Sequence, residues 1–94
     1  MPPLTITGDR AELLRAIAAG QVTEFWADDA DQPSDITRQE YPGRRTRVTG
    51  KVKVMKTVGL CETDPADAEL NTRRVKLTGA GEKALADYDA NRSN

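Results

Sequence analysis

The sequence predicts a small α+β domain, and three observations carry that expectation. Two stretches, 8–19 and 46–58, repeat their apolar residues at helical spacing. Gln21 to Ala27 is rich in β-branched and aromatic residues. Two short apolar-alternating runs, Leu60–Thr63 and Arg73–Leu77, flank a polar stretch as the arms of a hairpin.

Leu4-Thr5-Ile6 is a candidate short strand. Thr7 or Asp9 then supplies the N-cap of a first helix, with Glu12 three residues after Asp9. Leu13 pairs with Ile17 and Leu14 with Ala18 along one face, while Arg10, Glu12 and Arg15 stay outside it. Gly20 is placed to end this helix. The strand 21–27 follows, and then an acidic, proline-containing loop from Asp28 to Asp35. Ile36 to Tyr41 reads equally as a return strand or a short helix, and Pro42-Gly43 breaks it.

Thr46 or Arg47 opens the second helix. At 100° per residue, Val48, Val52 and Met55 share an arc of about 60°, with Thr49, Lys53, Lys56 and Thr57 opposite and Gly50 at the edge. Lys51 falls inside the apolar arc, where it is expected to snorkel, and Val54 is the one apolar residue out of phase. Gly59 ends the helix and Leu60 begins the hairpin. Thr78 caps a last helix, near 79–91, that points Leu85 and Tyr88 inward and Glu82, Lys83 and Asp87 outward. The expected core is Leu13, Leu14, Ile17, Val22, Phe25, Trp26, Val48, Val52, Met55, Leu60, Val75, Leu77, Leu85 and Tyr88.

Ninety-four residues make one domain, 1–94, with 1–3 and 91–94 expected to fray. Composition excludes several functions. No apolar run approaches the roughly 20 residues of a membrane span, and Met1-Pro2-Pro3 lacks the pattern of a signal peptide, so a cytoplasmic location is expected. The sequence holds one cysteine, Cys61, and no histidine, which removes the ordinary zinc sites and both Ser-His and Cys-His nucleophile pairs. No metal or other cofactor is expected, and no pair of groups has an assignable acid–base role, so an enzyme is not expected. Cys61 reads as a small buried hydrophobe.

The net charge of −1 hides strong clustering. Residues 44–56 hold Arg44, Arg45, Arg47, Lys51, Lys53 and Lys56 with no acid, and residues 71–78 hold Arg73, Arg74 and Lys76. Acids fill the intervening 57–70, at Glu62, Asp64, Asp67 and Glu69, and dominate 1–43. A helix that enters the major groove needs an apolar face held by the core and an opposite face of short polar and basic groups. Thr49, Gly50, Lys53 and Lys56 meet that need. Arg44, Arg45 and Arg47 stand where phosphate clamps would precede such a helix, and Arg73 and Arg74 where a hairpin would supply more.

The run Arg47-Val48-Thr49-Gly50-Lys51-Val52, then Val58-Gly59-Leu60, then Arg74-Val75-Lys76-Leu77-Thr78 and Gly81 resembles the winged-helix family. It is similar to MarR-like and PadR-like regulators and to small phage-encoded winged-helix proteins, over about residues 44–88. The resemblance implies three helices and a β-hairpin wing, with an extra short strand or hairpin at 21–40 where the family's second helix is not apparent. It further implies a transcriptional regulator or architectural protein that binds double-stranded DNA, nucleoid-associated and homodimeric through the final helix around Tyr88. The alternative is a protein-interaction module, such as a phage-type inhibitor of a host factor, with Phe25 or Trp26 and the acidic 28–35 loop as its contact.

Overall fold

The computed structural model describes residues 5–64 and 71–92. In chain order the elements are α1 (Gly8–Ala18), β1 (Val22–Phe25), β2 (Asp35–Tyr41), β3 (Arg44–Arg47), α2 (Thr49–Thr57), β4 (Cys61–Thr63), β5 (Thr72–Leu77) and α3 (Gly79–Arg92). The α+β class holds, with three helices and one five-stranded antiparallel sheet in the order β3-β2-β1-β5-β4. Strands β1, β2 and β3 form a meander. The chain then crosses through α2 to the opposite edge and returns by β5 to lie beside β1.

Local chemistry explains each boundary. Thr7 caps α1 by accepting the Arg10 N–H at 3.4 Å. The two-residue Pro42-Gly43 connection turns β2 into β3, so the ambiguous 36–41 segment is a strand. Arg44 to Arg47, expected to lead into or open a helix, is instead the edge strand β3, and α2 begins only at Thr49. The ladder partners Thr37–Arg47, Arg38–Thr46 and Gln39–Arg45 account for this, because the hairpin claims those backbone groups first. Thr5 and Ile6 enter no strand, and Leu4 lies outside the described residues. The last helix runs through Arg92, past the expected fraying point; residues 1–3 and 93–94 are outside the described residues.

At the end of α2, Gly59 takes φ = +81°, the Gly59 N–H donates to Lys56 O at 3.1 Å and the Leu60 N–H to Met55 O at 2.9 Å. This pair of hydrogen bonds to the last turn is the Schellman cap, which needs a left-handed residue and therefore favours glycine. Thr78 caps α3: its hydroxyl accepts the Gly81 N–H at 3.1 Å and donates to Gly59 O at 2.5 Å.

All three helices cover one face of the sheet. Leu13, Leu14, Ala16 and Ile17 of α1 and Val52 and Met55 of α2 pack with Val22, Ile36, Cys61 and Val75 of the strands, and Leu77 and Leu85 close the margin. Phe25, Trp26, Leu77, Leu85 and Tyr88, expected in the core, are only partly buried. Ile36 and the carboxylate of Glu24 take core positions that were not foreseen. Among the described residues no helix covers the other sheet face. Its outward positions are Thr23 and Phe25 on β1, Asp35, Thr37 and Gln39 on β2, Arg45 and Arg47 on β3, Thr72, Arg74 and Lys76 on β5 and Glu62 on β4.

Candidate nucleic-acid interface

Helix α2 is held by Val52 and Met55, both buried, and turns Gly50, Lys51, Lys53, Val54 and Thr57 to solvent. Gly50, Lys53, Val54 and Thr57 follow i, i+3, i+4, i+7 spacing, so they form one continuous stripe. Val54 is 46% exposed, so the residue out of phase with the core is part of the outward surface. Lys51 also leaves the apolar arc: it is exposed, at the rim of a groove shared with Arg10, Leu13 and Met55. Neither Lys51 nor Lys53 makes an ion pair among the described residues, and the helix contains no acid. Thr57 donates its hydroxyl back to Lys53 O at 2.9 Å.

Two residues expected on that surface are committed elsewhere. Thr49 sits where the β2–β3 ladder runs into the helix; its hydroxyl accepts the Ile36 N–H at 2.9 Å and donates to Asp35 Oδ1 at 2.9 Å. Lys56 turns under the helix. Its ammonium donates to Glu24 Oε2 at 2.7 Å and to Thr63 Oγ1 at 3.1 Å, while Thr63 donates to Glu24 Oε1 at 2.5 Å. Glu24 is fully buried and Lys56 only 27% exposed in its side chain, so the pair is shielded from solvent. The cause is strand alternation: with Val22 inward, Glu24 must also point inward, and a buried carboxylate requires a charged partner. That signal was present in the sequence at Val22 and Glu24.

The arginines before α2 do not clamp beside it. Arg47 pairs with Asp35 at 3.0 Å and Arg44 with Glu40 at 3.3 Å, while Arg45 extends over the Phe25 ring at 5.9 Å on the helix-free face. Arg73 stacks on Trp26 at 4.2 Å on the helix side, and Arg74 points to the open face, where Lys76 meets Glu62 at 3.5 Å. The cationic block therefore divides into two surfaces separated by the sheet: the α2 stripe with Arg10, and the β3 side of the open face. Phe25 and Trp26, both expected in the core, are only partly buried, each under an arginine. Of the acidic wing tip, Glu62 and Asp64 flank β4's end, and Asp67 and Glu69 lie outside the described residues.

Cys61 is buried, and desolvation pushes its thiol up to about 11, only partly offset by the nearby Lys56 ammonium. Tyr88 packs near Gly8 of the same chain, and Arg15 forms a two-bond pair with Asp89 at 2.6–2.7 Å, so α3 spends this face on α1. Among the described residues no His, Cys, Asp or Glu side chains gather in the groups of three that hold a metal ion, and no helix is long and apolar enough to cross a membrane. No protein-family model, curated protein or solved structure matches the chain.

Proposed function

We propose that this chain is a winged-helix-type module that binds duplex DNA, with α2 as the helix that enters the major groove. The observation that carries this reading is the outward stripe of α2. Gly50 allows close backbone approach, Lys53 offers a donor to guanine edges or phosphate, and Val54 offers a methyl surface to thymine. Lys51 and Arg10 flank the stripe as phosphate contacts. The order of elements also supports it, since α2 leads directly into the β4–β5 hairpin and β5 returns beside β1, as in the wing of that fold. In place of the family's second helix stands the β2–β3 hairpin, which holds the start of α2 through Asp35 and Thr49. Regulation of transcription, through a homodimer or otherwise, is the corresponding biological role.

Anisotropy of a labelled 20-base-pair duplex, titrated with the folded protein at about 50 mM salt, tests the reading. Saturable binding supports it, and no measurable binding removes it. One observation favours a second reading, a protein-interaction module: Asp28, Asp29 and Asp31 are all exposed on one loop. In that reading neutralising these three carboxylates would abolish function, while Lys53→Ala would leave it intact.

A further inference from the structure

We propose that the helix-free sheet face between β1 and β3 binds single-stranded nucleic acid, independently of α2. A sheet face left without a helix is usually either polar and solvated or apolar and covered by a partner. Here it is neither inert nor apolar. Between β1 and β3 its outward residues include no aliphatic side chain larger than threonine, and its one aromatic, Phe25, sits on the sheet's central strand. Arg45 reaches diagonally from the edge strand to within 5.9 Å of that ring. At the tip of the same β2–β3 hairpin, Tyr41 is 55% exposed with Arg44 5.9 Å from its ring centre. Phe25 on this face thus carries an arginine, the pairing by which bases are stacked and phosphates neutralised, and Tyr41 with Arg44 repeats that pairing at the end of the hairpin.

Charge identifies the occupant. Arg45 and Arg47 face Asp35 across this half of the sheet, which leaves an excess of positive charge and favours an anion. Arg47 keeps 78% of its side chain exposed in its pair with Asp35. Exposed ion pairs are weak, so a phosphate can replace that carboxylate. A protein strand or apolar helix would find no apolar anchor beside Phe25 here. A duplex is too wide to bring bases onto Phe25, because only unpaired bases expose their faces for stacking. From Asp35, beside Phe25, to Tyr41 the strand spans about 20 Å, room for several nucleotides.

The experiment titrates labelled 12-nucleotide oligothymidine and oligouridine, and separately a 20-base-pair duplex, with the full chain at about 50 mM salt. Phe25→Leu keeps apolar volume and Arg45→Ala changes an exposed side chain, so circular dichroism should show both folded. Each is expected to weaken single-strand binding by roughly 5- to 100-fold and to leave duplex binding unchanged; Lys53→Ala is expected to do the reverse. Tighter oligouridine binding would place the 2′-hydroxyl against Gln39, and equal binding would leave stacking as the source of affinity; both support the proposal. No single-strand binding overturns it, as does single-strand binding that Lys53→Ala abolishes and Phe25→Leu spares. Loss of duplex binding alone would defeat the reading of α2 and leave this face standing.

Discussion

Lys56 and Glu24 form a charge pair at 2.7 Å that bolts α2 onto the central strand, with the carboxylate wholly buried. Thr63 closes the network from β4, so helix, central strand and the β4–β5 hairpin share one polar joint. Removing one partner leaves an uncompensated buried charge, which costs about 3–5 kcal/mol. Lys56→Ala is therefore expected to destabilise by roughly that amount, reduced somewhat by the partial exposure of the ammonium. Replacing both partners by apolar residues, Glu24→Leu with Lys56→Met, should recover most of the loss. Urea unfolding of the two single variants and the double variant measures this directly. A loss below about 0.5 kcal/mol for Lys56→Ala would show that the network is not structural.

Gly81 sits where a Cβ would come to 1.9 Å from the Leu60 carbonyl oxygen, a backbone atom that cannot swing away. Gly81→Ala should force α3 off the β4 junction and cost about 1–3 kcal/mol or more, despite the better helix propensity of alanine. Thermal unfolding checks it; an unchanged or raised midpoint would contradict the close approach.

Much of the fold was legible because it depends on local periodicity. The residues Leu13, Ile17, Val52 and Met55 show the helical phase, and Gly20 and Gly59 mark where it stops. The β2–β3 hairpin was harder to read, because Arg44 to Arg47 has no apolar alternation: an edge strand with one face in solvent can be almost wholly cationic. Arg44, Arg45 and Arg47 therefore looked contiguous with Lys51 and Lys53, although the sheet separates their surfaces. Lys56 was misplaced for a different reason. A helical wheel assigns charge to solvent, and only the inward phase of Val22 and Glu24 could have supplied its buried partner.

Cys61 should be inert in the native state. With its thiol raised to about 11, less than a hundredth is ionised at pH 8. Iodoacetamide at pH 8 is expected to label it only after unfolding in urea. The pH dependence has a defined sign. The folded value lies above the ordinary thiol value of 9.0, so the unfolded chain loses its proton first. This group's contribution is fully present below about pH 9 and is lost as pH rises toward 11. Cys61→Ser should flatten the stability decline across that window. Rapid labelling of the folded protein at pH 8 would contradict the burial.

A Cβ on Gly50 would meet nothing within 4 Å, so no contact inside the chain requires a glycine there. Gly50→Ala should leave the fold intact and raise stability by up to about 1 kcal/mol. If the backbone approaches DNA at this point, the same variant should bind duplex several-fold more weakly. Equilibrium unfolding and duplex titration of one preparation separate the two effects. Equal duplex affinity would remove Gly50 from the contact surface.

The salt dependence of duplex binding tests the central claim about α2 most directly. With Arg44 and Arg47 on the far edge of the sheet and Lys56 buried, Lys51, Lys53 and Arg10 remain to meet phosphate. Two or three phosphate contacts give a slope of about −2 to −3 for log affinity against log salt. Changing Lys51 and Lys53 together to Ala should weaken binding and flatten that slope by one to two, with the unfolding midpoint preserved. A slope unchanged by the double variant, or no duplex binding by the folded protein at about 50 mM salt, would contradict the account.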